Sequence, residues 1–260
     1  MMKIKQNSMA WLLASSTLFA SHTMAEELIV NGGFEASGAD VYDIQGWSSA
    51  EAGATGSVLL ENDTVTDASG RNTTGPSTGV NYALLDAFTI SNQAIYQTFS
   101  TGAFNAATSS ATLSFSMFVN NQSATGTQIN AAGLDYTSAD SFAANQHVRV
   151  DLLNAGAAIF STNNADIAQS FYLGGSTGNS VIGGDVANGY TNYSFDLSTL
   201  LAAGGTYTLR FASVANEGQL QLGIDNVSLQ VAAVPEADSS SMLLAGLGVM
   251  GFVARRRKLA

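Results

Sequence analysis

Leu220-Gln221-Leu222-Gly223-Ile224-Asp225-Asn226-Val227-Ser228-Leu229-Gln230-Val231 is the stretch on which the fold turns. Apolar side chains recur at every second position, the spacing that lines one face of a β-strand. The register is even at Leu220, Leu222 and Ile224, then odd at Val227, Leu229 and Val231. One inserted residue accounts for the switch, so the stretch predicts a strand with a β-bulge near Asp225-Asn226. The same period runs through Ala111–Val119, with Leu113, Phe115, Met117 and Val119 against Ser114, Ser116 and Phe118. In His147–Leu153, Val148, Val150 and Leu152 face one way; in Thr206–Phe211, Tyr207, Leu209 and Phe211 do. Shorter runs lie at Leu28–Val30, Ser57–Leu60, Tyr82–Leu85, Ile95–Phe99, Phe171–Leu173 and Tyr190–Leu197. Clusters of Gly, Asn, Ser and Thr bound them, and no long stripe of period 3.6 appears. The pattern predicts an all-β chain, a single antiparallel β-sandwich of the jelly-roll kind. Asn120–Gln146 and Ser161–Gly189 read as long loops, the kind that carry function or motion.

Charge divides the chain into three parts. Nine basic and twenty acidic side chains give 260 residues a net charge of −11. Six of the nine cations sit at the two ends. From Glu26 to Val234 only Arg71, Arg149 and Arg210 face eighteen acids, which leaves this middle at −15. Such a surface repels nucleic acid and attracts divalent cations or neutral ligands. The absence of cysteine excludes disulfide scaffolds, thiol nucleophiles and cysteine-bound zinc.

The ends read as targeting segments. Lys3 and Lys5 precede an apolar run from Met9 to Ala20, and small residues stand at Thr23 and Ala25. This is the layout of a secretory signal peptide over 1–25, cleaved before Glu26 by signal peptidase after passage through the Sec translocon. At the other end, Val234-Pro235-Glu236 and three serines lead into an uncharged run from Met242 to Ala254, followed by Arg255-Arg256-Arg257-Lys258. A helix over that run rises roughly 20 Å, short of a hydrocarbon core of about 30 Å. The cations hold its end on the cytoplasmic side. The expectation is a temporary membrane stop over 234–260, after a sandwich over 26–233.

Those C-terminal residues resemble the PEP-CTERM sorting signal of Gram-negative bacteria. Ala237 stands where the usual motif has a second proline. The resemblance implies processing by an exosortase-type enzyme. It also implies a place at the cell surface or in an exopolysaccharide or biofilm matrix. A second resemblance covers the ends of the middle. Leu28-Ile29-Val30-Asn31-Gly32-Gly33-Phe34-Glu35 with Gly46-Trp47-Ser48, and Gly223 to Leu229, are similar to the first and last strands of galactose-binding-like and carbohydrate-binding modules. It implies a jelly roll whose first and last strands adjoin. It further implies a structural calcium held by Glu35 and Asp225. By their chemistry alone these carboxylates equally cap turns by accepting backbone N–H bonds.

Sugar recognition needs an aromatic platform beside polar groups. Trp47 is the middle's one tryptophan and so the first candidate, although the Gly-Trp of the resembled modules more often packs into the sandwich. Tyr42, Tyr82, Tyr96, Tyr136 and Tyr172 are further platforms that spacing does not rank. His147, Arg149 and Asp151 share the outward face of one strand, either as a ligand face or as a solvated one. Catalysis finds little support: His147 is the middle's sole histidine, without a nucleophile elbow or a second zinc ligand. Three readings remain open. One is a non-enzymatic envelope or matrix protein that binds extracellular polysaccharide. The others are an adhesive matrix protein that binds no sugar, and a glycan hydrolase using an unassigned carboxylate pair.

Overall fold

The computed structural model describes residues 25–53, 56–66, 68–88, 90–137, 143–176 and 186–233, together with Leu247. The signal segment before Ala25 and the sorting residues Val234, Pro235, Glu236, Arg255, Arg256 and Arg257 lie outside the described residues.

Among the described residues eleven strands follow in order: β1 (Glu26–Glu27), β2 (Ser48–Gly53), β3 (Ser57–Glu61), β4 (Tyr82–Ala87), β5 (Ser91–Thr101) and β6 (Ser109–Asn121). Then come β7 (Gln146–Asn154), β8 (Ile167–Gly174), β9 (Thr191–Asp196), a single helical turn α1 (Ser198–Leu201), β10 (Gly205–Ala215) and β11 (Leu220–Ala233). One sheet runs β3-β4-β11-β6-β9 with β1 also on β11, and the other runs β2-β5-β10-β7-β8. The antiparallel pairs β4–β11, β5–β10, β6–β9 and β7–β8 are nested one inside the next. Such nesting is a long double ribbon rolled into two sheets, which is the jelly roll.

Alternation places the core. Leu113, Phe115, Met117, Leu222 and Ile224 of the first sheet meet Val148, Val150, Leu152, Leu209 and Phe211 of the second. Each of these side chains contributes about 2 kcal/mol or more by leaving water. The bulge lies where the parity switch put it: pairing with β6 shifts between Asp225 and Ser228, and Asn226 takes φ +53°. Before the bulge β11 pairs with β4; beyond it β11 pairs with β1. The bulged backbone is clasped by the opening motif, since Val227 N–H donates to Gly32 O at 2.8 Å. A Cβ on Gly32 would stand 1.7 Å from Val227 O, so only glycine permits the approach.

Three details depart from the expectation. The first strand lies at Glu26–Glu27 rather than Leu28–Val30. The Gln97 amide replaces a partner strand for Val30, accepting from its N–H at 2.7 Å and donating to its carbonyl at 2.9 Å. β2 was not foreseen, because Ser-Ser-Ala-Glu-Ala-Gly has no apolar alternation and forms an exposed edge. Phe118 points outward yet is fully buried, packed with Tyr82, Leu84 and Tyr190 on the outer side of the first sheet. Gly223 makes room for that ring: a Cβ there would lie 2.0 Å from it.

Candidate functional site

The outer face of the second sheet carries three of the residues that alternation brought forward. With Val148, Val150 and Leu152 in the core, His147, Arg149 and Asp151 of β7 point away from it. They do not meet open solvent, because His147 and Asp151 are completely buried and Arg149 largely so. Asp151 accepts from Arg149 Nε at 3.1 Å and Nη2 at 3.0 Å, and also from Arg210 Nη2. Arg210 on β10 is the largest fully buried side chain, and its Nη1 donates to the carbonyls of Ile159 and Ser161. Burial works against a charged Asp151, but the two guanidiniums outweigh it and hold the carboxyl below the usual range. Burial likewise pushes His147 down to about 4; its Nδ1 lies 3.3 Å from Gln128 O. The trio is therefore neither an open ligand face nor a solvated one. It is part of a buried ion cluster that ties the 159–161 segment to the sheet, beside a small apolar cover of Leu134 with Ala94, Ala212 and Val214.

Of its two readings, platform and core, Trp47 takes the core one. It is 9% exposed, with ring centroids 5.3 Å from Phe34 and 6.2 Å from Phe211. Its indole N–H donates to Asn31 O at 3.1 Å, so it packs in the core and presents no platform. The opening motif explains why: Asn31 takes φ +52° and its amide clips Ala36 and Gln45, which turns Phe34 inward onto Trp47. Among the tyrosines, Tyr82 is buried, Tyr42 is exposed, and Tyr96, Tyr136 and Tyr172 are half-buried.

Glu35 and Asp225 come to the same short segment, residues 77–81. Glu35 Oε1 accepts from the N–H of Val80 at 2.8 Å and Asn81 at 3.1 Å. Asp225 Oδ2 accepts from Ser77 and Thr78, both at 2.9 Å. This is the capping role. Burial raises the Asp225 pKa, its three N–H donors lower it, and the Glu35 charge raises it further. Among the described residues neither carboxylate has a cationic partner, and no group of three or more His, Asp or Glu gathers. Both are oxygen donors of the type that calcium takes, two carboxylates of a shell of about six to eight oxygens.

Among the described residues, grooves open on the surface at two places that matter here. One, of about 390 Å³, lies where the edges β8 and β9 meet α1, with Phe171 and Phe195 rings 4.8 Å apart. The other, of about 410 Å³, lies on the outer face of the second sheet between Ala52, Asn92, the 132–137 segment and Phe160. Tyr136 lines it, as spacing alone could not have singled out. Asn92, Asp135 and Phe160 were missed; nothing in their sequence neighbourhood distinguishes them from ordinary strand-start and loop residues.

Residues 233–258 match the PEP-CTERM protein-sorting motif. Fold and motif together define an exported protein with a jelly-roll domain, subject to exosortase-type sorting. Among the described residues no helix is long and apolar enough to cross a membrane. No curated protein matches the sequence significantly. Solved structures of similar fold include the TmCBM61 module in complex with β-1,4-galactotriose, at 10% identity and TM-score 0.44, covering 80% of this chain and 99% of that one. A family 11 carbohydrate-binding module from Clostridium thermocellum, in complex with a mixed-linked tetrasaccharide, is similar at 11% identity and TM-score 0.36, covering 79% and 95%. The enzymatically active domain of bacteriophage CBA120 tailspike protein 4 is similar at 14% identity and TM-score 0.40, covering 80% of this chain. The chain spans about a fifth (21%) of that tailspike's length. These are likenesses of fold.

Proposed function

We propose that this chain is a non-catalytic protein of the bacterial envelope or extracellular matrix that associates with polysaccharide through its sandwich. Its signal segment passes through the Sec translocon and is removed by signal peptidase; the C-terminal segment then holds the chain in the inner membrane until sorting. The observation that carries this reading is one of placement. The sorting motif begins at residue 233, the last residue of β11, so the folded domain leads straight into the signal. A non-catalytic role is supported by His147, the middle's sole histidine, which is completely buried with its Nδ1 against a backbone carbonyl.

Fractionation of cells producing the full chain, or a chain lacking residues 234–260, tests the sorting. The full chain is expected in the envelope or matrix with a processed mass. Identical fractionation and processing of the two would overturn it. Calcium belongs to the same proposal, with Glu35 and Asp225 as its carboxylate ligands. Excess calcium is expected to raise the melting temperature over that in chelator, and Glu35→Gln to reduce the difference; equal melting in both conditions removes calcium from the reading.

A further inference from the structure

The groove on the outer face of the second sheet contains a buried polar group without a partner. Asn92 of β5 stands opposite Ala52 of β2 and Val214 of β10, and is 5% exposed. Among the described residues its amide makes no side-chain hydrogen bond, and its Oδ1 is completely enclosed and unpartnered. Leaving a buried amide unpaired is unfavourable, and folds rarely do so without a reason. Asn92 is also the residue among these orphaned groups that lines one of the grooves described above.

The groove around it combines two further features. Tyr136 and Phe160 wall it, half-buried and braced against the apolar cluster of Ala94, Leu134, Ala212 and Val214. Their rings are thus held in place before any ligand arrives, while Ala52 and Ala132 are small enough to leave the space open. Its charge is one-sided: among the described residues that line it, Asp135 is the one ionisable carboxylate and none is arginine or lysine. The two cations on this face, Arg149 and Arg210, are both held by Asp151.

From these features we infer that the Asn92–Tyr136–Phe160 groove is a binding site for uncharged saccharide. A pyranose ring presents an apolar C–H face to an aromatic wall, and its hydroxyls accept from the Asn92 amide N–H groups. Carboxylated, sulfated or phosphorylated sugars find Asp135 and no cation. The groove lies near the β10–β11 turn, since Asn92 pairs one residue from the Ser91↔Ala215 end of its ladder. The sorting motif leaves from the opposite end of β11, on the order of 40 Å away at about 3.3 Å per residue. A chain held by its C-terminal signal therefore presents the groove away from that attachment.

This inference rests on the polysaccharide reading above and specifies its site and ligand class. Affinity electrophoresis of the full chain through gels containing β-1,4-galactan, mixed-linked β-glucan or alginate tests both. Retardation is expected in a neutral gel and not in alginate. Tyr136→Ala is expected to weaken it about tenfold, the loss of one aromatic contact, and Tyr136→Phe to retain it. Asn92→Ala is expected to weaken it with the melting temperature unchanged or raised, because an orphaned amide has been removed. Retardation that survives Tyr136→Ala and Asn92→Ala but is lost in Phe171→Ala overturns this site, moves binding to the β8–β9 edge and leaves the polysaccharide reading standing. Retardation in alginate alone overturns the ligand class. No retardation of the native chain in any gel overturns the polysaccharide reading itself.

Discussion

The outer face of the second sheet has two halves that alternate in sequence in the same way and meet opposite fates. Toward the β10–β11 turn, His147, Arg149, Asp151 and Arg210 are covered by residues 128–137 and 159–161. Toward the other end, Thr98 and Thr208 bond across the strands at 2.8 Å, as do Ser100 and Thr206, and all remain open to water. Period two decides which side of a sheet a residue occupies. It carries nothing about what lies over that side. A charged strand face that looks solvated in sequence became an interior because a loop of small and polar residues, pinned by one buried cluster, folded back onto it.

The comparison can be broken most severely at Asp151. Asp151→Asn leaves Arg149 and Arg210 buried without a counter-charge. Breaking a buried ion pair typically costs about 3–5 kcal/mol. Denaturant unfolding is expected to show a loss of that size, with a loss near zero ruling out the clamp.

Acid sharpens the contrast next. The folded protein holds His147 at about 4 against 6.5 for an ordinary histidine. Between those values the unfolded chain binds the proton and the folded one does not, so stability falls as pH drops from about 6.5 to about 4. The full effect approaches 3 kcal/mol at 1.36 kcal/mol per pH unit. The Arg149 charge disfavours the imidazolium and the Asp151 charge favours it, and Asp151, held below the usual carboxylate range, stays ionised across the window. His147→Gln is expected to flatten the pH dependence of the melting temperature there; an unchanged slope would assign it to other groups.

The smallest effect belongs to the open half. Thr98→Val with Thr208→Val removes both hydroxyls of an exposed pair and keeps the β-branched shape. Surface changes of this sort stay within about 0.5 kcal/mol. A loss above 1 kcal/mol would show that this half too is structurally engaged.

Much of the architecture was legible along the chain because burial between two sheets imposes a two-residue period. Leu220–Val231 even disclosed its bulge, since an inserted residue must flip the parity of everything after it. β2 stayed hidden because an exposed edge strand has no apolar face to announce it. Of the site residues, Glu35 and Asp225 stand 190 positions apart in sequence, and both carboxylates accept from backbone N–H groups of the 77–81 segment. Trp47 belonged to the core, where Asn31 and Phe34 hold it. Alternation with Leu209 and Phe211 puts Arg210 on the outer face of its strand, while its burial depends on carbonyls 49 and 51 positions away.

The sequence by itself determined the strand pattern, the two targeting ends and the sparse, lopsided charge of the middle, all of which are properties of nearest neighbours or of composition. Tertiary packing alone brought two of the middle's three arginines onto one carboxylate and left the Asn92 Oδ1 unpartnered in a groove that Tyr136 and Phe160 line. Those outcomes depend on which distant segments meet across the sheet. Local spacing places a side chain on a face, but the loops that return over that face determine whether it becomes core, clamp or groove.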